Sequence, residues 1–149
     1  MIINAETPDQ PEIRCLLDQL DAVCAALYPV ESHHPMNIAS LLADDVLFLV
    51  ARGSDGAALG CVALVRREGF GEVKCMVVDQ AMRGRGTGRR LLEQLATFAR
   101  MSGVRALKLE TGIRQLEAIK LYERFGFTRC APFGAGQPDP LSLFMEKQL

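Results

Sequence analysis

The sequence predicts an α+β protein with a mixed, mostly antiparallel sheet of six to seven strands and four helices. Two observations carry this prediction. Between residues 46 and 78, short apolar runs alternate with turn residues, which is typical of an antiparallel meander. Between residues 77 and 110, a strand, an amphipathic helix and a further strand follow one another. A strand–helix–strand order of this kind implies one parallel strand pair.

The N-terminal segment combines a short strand with two helices. Ile2-Ile3 indicates the strand, and apolar residues recurring every three or four positions from Ile13 to Leu27 indicate the first helix. Tyr28-Pro29 ends this helix. After a polar loop, Asn37 can cap a short second helix.

The central strands are predicted at residues 46–51, 58–65 and 72–78. Turns rich in glycine and charged residues join them, so these strands run antiparallel. Gly60 indicates a bulge or a close backbone approach within the middle strand.

The C-terminal half carries the crossover and the end of the sheet. Gly103 stops the helix that follows the glycine-rich segment. The remaining predicted elements are a strand at 106–110, a helix at 115–124, a strand after Phe127, a loop at 133–140 and a last strand at 141–146.

Composition restricts the class of protein. The 149 residues fit one domain, and 49% hydrophobic with 23% charged residues is typical of a globular chain. A net charge of −1 gives no support to nucleic-acid binding, and no apolar run is long enough for a membrane span. The N-terminus has no signal-like core.

Five scattered cysteines without a Cys-x-x-Cys pair argue against disulfides and zinc and favour the cytoplasm. Most of these cysteines are expected in the core.

A glycine-rich segment, Arg83–Arg90, lies between a strand and a helix. Its three alternating glycines let the backbone approach a ligand, and the helix N-terminus favours an anion. Four arginines reinforce that charge, so a phosphate-bearing ligand is expected. A nucleotide triphosphatase loop would end in Gly-Lys-Ser/Thr, whereas Gly88 is followed by arginine. The dinucleotide fingerprint Gly-x-Gly-x-x-Gly also fails, although Glu110 stands where a ribose-binding acid would, so a dinucleotide site stays as a weaker alternative.

Two motifs resemble those of the GNAT superfamily of N-acetyltransferases. Arg83-x-x-Gly86-x-Gly88 follows a strand ending Val77-Val78-Asp79, as in that superfamily's acyl-CoA signature. The run Ala118-x-x-Leu121-Tyr122-Glu123-x-x-Gly126-Phe127 resembles its second signature. The order of elements agrees along the whole chain. The resemblance implies an α/β/α layered fold whose fourth and fifth strands, the parallel pair, splay apart around a bound acyl-CoA.

The resemblance also implies a set of residues that bind acetyl-CoA as a co-substrate, without a metal. Backbone groups of the fourth strand would hold the pantetheine arm, and the glycine loop would hold the pyrophosphate. These residues are Met76, Val77, Val78, Arg83, Gly84, Arg85, Gly86, Thr87, Gly88 and Arg89. Many members carry an asparagine seven residues before the motif tyrosine. Here that position is Gln115, so this contact to the cofactor stays open.

Acyl transfer to an amine needs a base for the amine and an acid for the departing thiolate. Tyr122 occupies the general-acid position of the resemblance, with a core aromatic as the alternative. Glu72, eleven residues before Arg83, stands where some members place a base. A solvent-facing residue at a strand start is the alternative for Glu72, and Glu110 is the next candidate.

The acceptor is expected to meet residues of the first two helices, with the 133–140 loop opposite. Candidate acceptor-binding residues are Tyr28, Glu31, His33, His34 and Glu110. Two adjacent histidines do not form a metal set, because neighbouring side chains point apart. A primary amine of a small or amino-acid-like metabolite is the expected acceptor. A non-catalytic acyl-CoA sensor is the alternative, and the oligomeric state, which could be a homodimer, stays open.

Overall fold

The structure is a computed structural model that describes residues 1–29, 37–134 and 139–149. Seven strands form one sheet in the order β1-β2-β3-β4-β5-β7-β6. The strands are β1 (Ile2–Ala5), β2 (Val46–Arg52), β3 (Ala58–Arg67), β4 (Phe70–Val78), β5 (Ala106–Gly112), β6 (Thr128–Arg129) and β7 (Ser142–Gln148). The described α-helices are α1 (Pro11–Leu27), α2 (Ile38–Leu41), α3 (Thr87–Met101) and α4 (Leu116–Arg124).

The helices cover both faces of the sheet, and each face has its own core. On one face, Ile13 and Leu16 of α1 pack with Phe48 and Val50 of β2. On the other face, α3 and α4 pack on the sheet through a larger cluster that includes Leu91, Leu92, Leu95, Leu107, Tyr122 and Phe127. The amphipathic spacing of α1 and α3 is what directs these residues inward. The predicted layered α+β fold is confirmed.

The pairing of the strands explains where the sheet opens. β1 to β4 pair antiparallel in sequence, and β5 pairs antiparallel with β7 over all seven of its residues. The parallel pairing of β4 with β5 joins only Gly71 to Leu107 and Glu72 to Lys108. Beyond Glu72 the two strands share no ladder in the described chain, so the predicted parallel pair and its splay are both present.

An irregularity in β4 lies at the start of this opening. Opposite Val62 of β3, β4 places two residues, Cys75 and Met76, between the pairs Ala63–Lys74 and Cys61–Val77. Cys75 has a φ of 58°, which is the left-handed region that few side chains adopt. Two residues facing one define a β-bulge, which bends the strand and re-aims its side chains. The sequence did not predict this bulge.

The remaining sequence predictions have mixed outcomes. Gly60 does make a close approach, because a Cβ there would lie 2.8 Å from the carbonyl oxygen of Val77. All five cysteines are free, but only Cys61 and Cys75 are buried, so the expectation that most would be core residues is wrong. Cys15 is exposed because it lies on the outer side of α1. No described helix combines the length and apolar character that crossing a membrane requires.

Candidate active site

Two adjoining cavities open at the splay between β4 and β5. The first, here named the glycine-loop cleft, has a volume of about 530 Å³. Its walls are the end of β4, the loop before α3, and residues of α1 and α4. The second, here named the carboxylate cavity, has a volume of about 390 Å³ and lies towards α1, α2, β5 and β7. Leu20, Met76 and Gln115 line both cavities, so the two meet at these residues.

The glycine loop is positioned by a capped turn after β4. Asp79 accepts a hydrogen bond from the Ala81 N–H through Oδ2, at 3.2 Å, and so caps the 3-10 turn Gln80–Met82. Its Oδ1 accepts from Nε2 of Gln19 on α1, at 3.1 Å. The carbonyl oxygen of the Gln19 side chain is buried and has no partner among the described residues. One carboxylate thus joins the loop to α1.

The loop itself depends on glycine conformation. Gly84 and Gly86 have φ values of 80° and 82°, and a Cβ at either would meet nothing within 4 Å. Backbone conformation rather than crowding therefore requires glycine at both positions. Gly86 precedes the first turn of α3, where the leading N–H groups have no intrahelical acceptor and attract an anion.

Gly88 has a different role. A Cβ at Gly88 would lie 2.9 Å from Leu121 of α4, so this glycine allows α3 and α4 to approach closely. Together with Ala118, Leu121 forms the wall of the glycine-loop cleft that faces Val77 and Val78 of β4. The cleft is therefore apolar at its strand end.

The arginines divide between those that line the cleft and those that do not. Arg83 and Arg89 line it, whereas Arg85 is exposed outside the lining. Arg89 also donates to Glu93 at 3.0 Å. Arg114 and Arg124, which the sequence analysis missed, line the opposite side. The sequence indicates these two arginines only weakly, because isolated arginines around a helix are usually exposed to solvent.

Gln115 lies at the junction but its side chain is engaged locally. Its Oε1 accepts from the Gly112 N–H at 3.0 Å, just before α4. This oxygen therefore forms a hydrogen bond within the loop after β5. Whether Gln115 also contacts the cofactor stays a prediction. Gln115 stays in contact with both cavities through the rest of its side chain.

Tyr122 is one of two buried tyrosines that line the carboxylate cavity. It lies on α4, packs edge-to-face on Phe127 with ring centroids 5.7 Å apart, and is 6% exposed. Burial raises the pKa of its hydroxyl well above the ordinary value, with the neighbouring Cys75 thiol as a smaller cause. The hydroxyl therefore keeps its proton throughout the neutral range.

Two candidate carboxylates line the same cavity as Tyr122. Glu72 accepts two hydrogen bonds from Arg67, at 2.9 and 3.0 Å, and only 14% of its side chain is exposed. Glu110 is exposed and accepts a hydrogen bond from the Ser142 hydroxyl at 2.7 Å. Both side chains project from the α1 side of the sheet, so they face one chamber.

Tyr28 lines the carboxylate cavity and contacts Arg114, which lines the glycine-loop cleft. Its hydroxyl accepts from the Arg114 N–H at 3.1 Å, and the Arg114 guanidinium donates to the Leu27 carbonyl. A Cβ at Gly112 would collide with the Tyr28 ring, so glycine makes this contact possible. Burial raises the pKa of the Tyr28 hydroxyl. Tyr28 thus joins α1 to the loop after β5, and its contact with an acceptor stays a prediction.

Several residues of the carboxylate cavity were missed by the sequence analysis. They are Asp21, Cys24, Lys74, Cys75 and Ser142. No motif marks them, because they come from three elements, α1, β4 and β7, that lie far apart in the sequence. Glu31, His33 and His34 lie outside the described residues. Among the residues that are described, no group of three His, Cys, Asp or Glu side chains is placed to hold a metal ion.

Comparison with known proteins gives a family and a fold. Residues 16–127 match the model of the acetyltransferase (GNAT) family. The chain is 46% identical over 149 residues to an "IAA acetyltransferase" of Azospirillum brasilense, covering 99% of this chain and 97% of that protein.

Two solved structures extend the comparison. A proposed acyl-CoA N-acyltransferase of Klebsiella pneumoniae superimposes with a TM-score of 0.85 at 39% identity, covering 99% of this chain and 97% of that one. An aminoglycoside 6'-N-acetyltransferase, solved in complex with coenzyme A, superimposes with a TM-score of 0.73 at 17% identity over 99% and 97% of the two chains. This second likeness concerns the fold alone.

Proposed function

Because this chain belongs to the acetyltransferase (GNAT) family, we propose that it transfers an acetyl group from acetyl-CoA to a primary amine. The acceptor in this proposal is a small, amino-acid-like metabolite, and transfer is direct within a ternary complex. The observation that carries the proposal is the meeting of the two cavities at Met76, with Tyr122 in the lining of the carboxylate cavity. The catalytic domain is proposed to comprise residues 1–149 and to work in the cytoplasm, which five free cysteines support.

The glycine-loop cleft suits the donor. Its loop offers left-handed glycines, helix N-terminal amides and the guanidinium groups of Arg83 and Arg89 to a pyrophosphate. Its strand end is lined by apolar side chains, which suits a pantetheine arm. Beyond Glu72, the backbone of β4 has no pairing with β5, so Met76, Val77 and Val78 can hydrogen-bond that arm. Arg85 is assigned no contact with the donor.

The thioester carbonyl is polarised by a backbone N–H of the bulged segment in this scheme. The bulge at Cys75 and Met76 turns the backbone where the cavities meet. A fixed N–H in a shielded site stabilises the negative charge that develops as the amine attacks. Met76 is the residue we assign to this position.

Two side chains handle the protons. Tyr122 keeps its proton because burial raises the pKa of its hydroxyl, so it can donate to the departing thiolate. Glu72 is assigned as the base that removes the proton of the attacking amine, directly or through a water. Arg67 fixes the orientation of this carboxylate, and the shielding of its side chain favours a defined geometry.

The charge of the carboxylate cavity favours a cationic acceptor. Asp21, Glu72 and Glu110 contribute three carboxylates, against the single ammonium of Lys74. An amine reaches the cavity as an ammonium ion, so this balance attracts it before it is deprotonated. Glu110 and Tyr28 are assigned to the acceptor side on this basis, and Glu31, His33 and His34 remain sequence-based candidates for it.

A panel of primary amines with acetyl-CoA tests the proposal. The readout is free thiol released per unit time, checked by mass spectrometry of the acetylated product. We expect at least one small amine to give release above the rate of hydrolysis. If calorimetry detects tight CoA binding while no amine in the panel is acetylated, the protein is a non-catalytic acyl-CoA sensor and the proposal is wrong.

A further inference from the structure

Lys74 differs in its surroundings from the other lysines of the chain. The sequence has four lysines, and all four lie in described segments. Lys108 lies over the rings of Phe70 and Phe133, at 5.1 and 5.8 Å, and 3.8 Å from Glu146. Lys147 lies over the Phe125 ring at 5.5 Å, and Lys120 is exposed on α4. Of the four, Lys74 alone lines either of the two cavities described above.

The position of Lys74 is fixed by β4. It is two residues from Glu72, so both side chains leave the same face of the strand, and it immediately precedes the bulge. Lys74 is half-buried and forms no ion pair with any residue of segments 1–29, 37–134 or 139–149. Of the three carboxylates that line this cavity, Asp21, Glu72 and Glu110, two are held by other side chains, because Glu72 is bonded to Arg67 and Glu110 to Ser142.

A half-buried ammonium without an anionic partner is costly unless a ligand supplies the anion. Hydrogen bonds between two charged groups are also the stronger ones, so a ligand anion at this position gains more than a neutral group would. Strand geometry puts Lys74 only about 7 Å along β4 from Met76. An anion bound at Lys74 therefore lies within a few bond lengths of an amine that attacks the thioester held at Met76.

We propose that Lys74 binds the carboxylate of the acceptor, so that the acceptor carries both an amine and a carboxylate. This inference rests on the function proposed above and narrows its substrate class. The ammonium end faces Glu110 and Tyr122, and the carboxylate end faces Lys74. Lys74 then determines specificity without taking part in proton transfer. An amine without a carboxylate would leave the Lys74 charge unpaired in the ternary complex.

The test compares two acceptors that differ only in the charge of one group. The best amino-acid acceptor from the amine panel is assayed beside its carboxamide, with wild type, Lys74→Met, Lys74→Arg and Lys120→Met. Wild type is expected to prefer the acid at least tenfold in kcat/KM. Lys74→Met is expected to lose most of that preference through KM for the acid, with kcat changing less. Lys74→Arg keeps a cation and should retain part of the preference, and Lys120→Met, exposed on α4, should match wild type.

Folding is checked separately by thermal unfolding and by calorimetric binding of CoA, which Lys74→Met should leave unchanged. Equal rates for acid and carboxamide in wild type, or an undiminished preference in Lys74→Met, would overturn the inference while transfer to amines stands. Acetylation of Lys74 itself, found by peptide mass spectrometry, would also overturn it, because Lys74 would then be an acceptor. Absence of transfer to every amine would instead remove the proposed function, and this inference with it.

Discussion

The glycine-loop cleft and the carboxylate cavity share three residues, yet they are built from different parts of the chain. Much of the cleft comes from one continuous stretch, residues 76–89, and its distinctive groups are backbone amides and glycines. The cavity is lined by residues from six elements, namely α1, α2, β4, β5, α4 and the start of β7. The first site is a local conformation, whereas the second is a product of the tertiary fold.

This difference agrees with the roles proposed for the two sites. A pyrophosphate and an extended amide arm can be bound by backbone groups, which any sequence of suitable conformation supplies. A particular acceptor has to be distinguished by the charge and shape of side chains. Changes at the cleft should therefore alter binding of acetyl-CoA, while changes at the cavity should alter chemistry or acceptor choice.

The largest expected effect comes from Tyr122→Phe, on the cavity side. Removing the proton donor should lower kcat by about 100-fold or more, since general acids contribute on that scale. KM for acetyl-CoA should change little, because the ring still packs on Phe127. Burial raises the pKa of this hydroxyl above its ordinary value. Deprotonation of Tyr122 should therefore cause no loss of wild-type activity up to about pH 10.

Tyr28→Phe is the matched control for this change. Tyr28 lines the same cavity, and its hydroxyl accepts from the Arg114 N–H rather than facing a leaving group. It should lose only a few-fold in kcat. Steady-state kinetics across pH measures both variants, and a Tyr122→Phe protein as fast as wild type would show that the hydroxyl is not the acid.

An intermediate effect is expected for Gly86→Val, on the cleft side. A β-branched residue at a φ of 82° is strained by roughly 1–2 kcal/mol, and the loop should relax away from its bound conformation. The dissociation constant of CoA should rise about tenfold, while kcat at saturating acetyl-CoA should fall much less. Calorimetry with CoA gives the first quantity, and initial rates give the second.

Gly56→Val is the control that distinguishes the effect of backbone strain from an effect on the binding site. Gly56 has a φ of 84° in the turn between β2 and β3, and a Cβ there also meets nothing within 4 Å. Gly56→Val should lower the melting temperature by about as much as Gly86→Val does, and it should leave CoA binding intact. If both variants weaken CoA binding equally, the loop conformation is not what holds the pyrophosphate.

The smallest expected effect concerns the contact that joins the two regions. Gln19→Leu removes the donor to Asp79, so the turn before the glycine loop loses its link to α1. KM for acetyl-CoA should rise about two- to fivefold, consistent with loss of one hydrogen bond to a partly solvated carboxylate. Thermal stability should hold or increase, because the variant no longer buries the unpaired Gln19 carbonyl.

Asp18→Ala, an exposed neighbour on α1, controls for changes in the helix. A higher KM for acetyl-CoA together with an unchanged or higher melting temperature would mark Gln19 as a positioning residue. A fall in melting temperature without any change in KM would mean that the contact serves folding alone.

How much the sequence predicts follows the same division. The mixed sheet, the parallel splay and every helix are confirmed, because turn residues and apolar spacing are local signals. The glycine loop lies where its motif predicts it. The assignment of Tyr122 and Glu72 to chemistry stays a prediction, although both line one cavity.

What the sequence could not supply depends on long-range contacts. Lys74 and Ser142 come together only because β4, β5 and β7 are neighbours in the sheet, and no spacing along the chain records that. The sequence also has no signal for the bulge at Cys75, because a cysteine does not indicate a positive φ. Arg67, which holds Glu72, reads in the sequence as an ordinary turn residue.

The short ladder between β4 and β5 has a consequence for the lifetime of the protein. After Glu72, each strand has a free edge inside the sheet, where most proteins allow edges only at the rim. A ligand that fills this gap binds the folded chain and not the unfolded one, so it stabilises by about 2.7 kcal/mol at a hundred times its dissociation constant. If acetyl-CoA is that ligand, as proposed, a cell rich in acetyl-CoA would hold more of this protein folded and leave fewer strand edges open to aggregation.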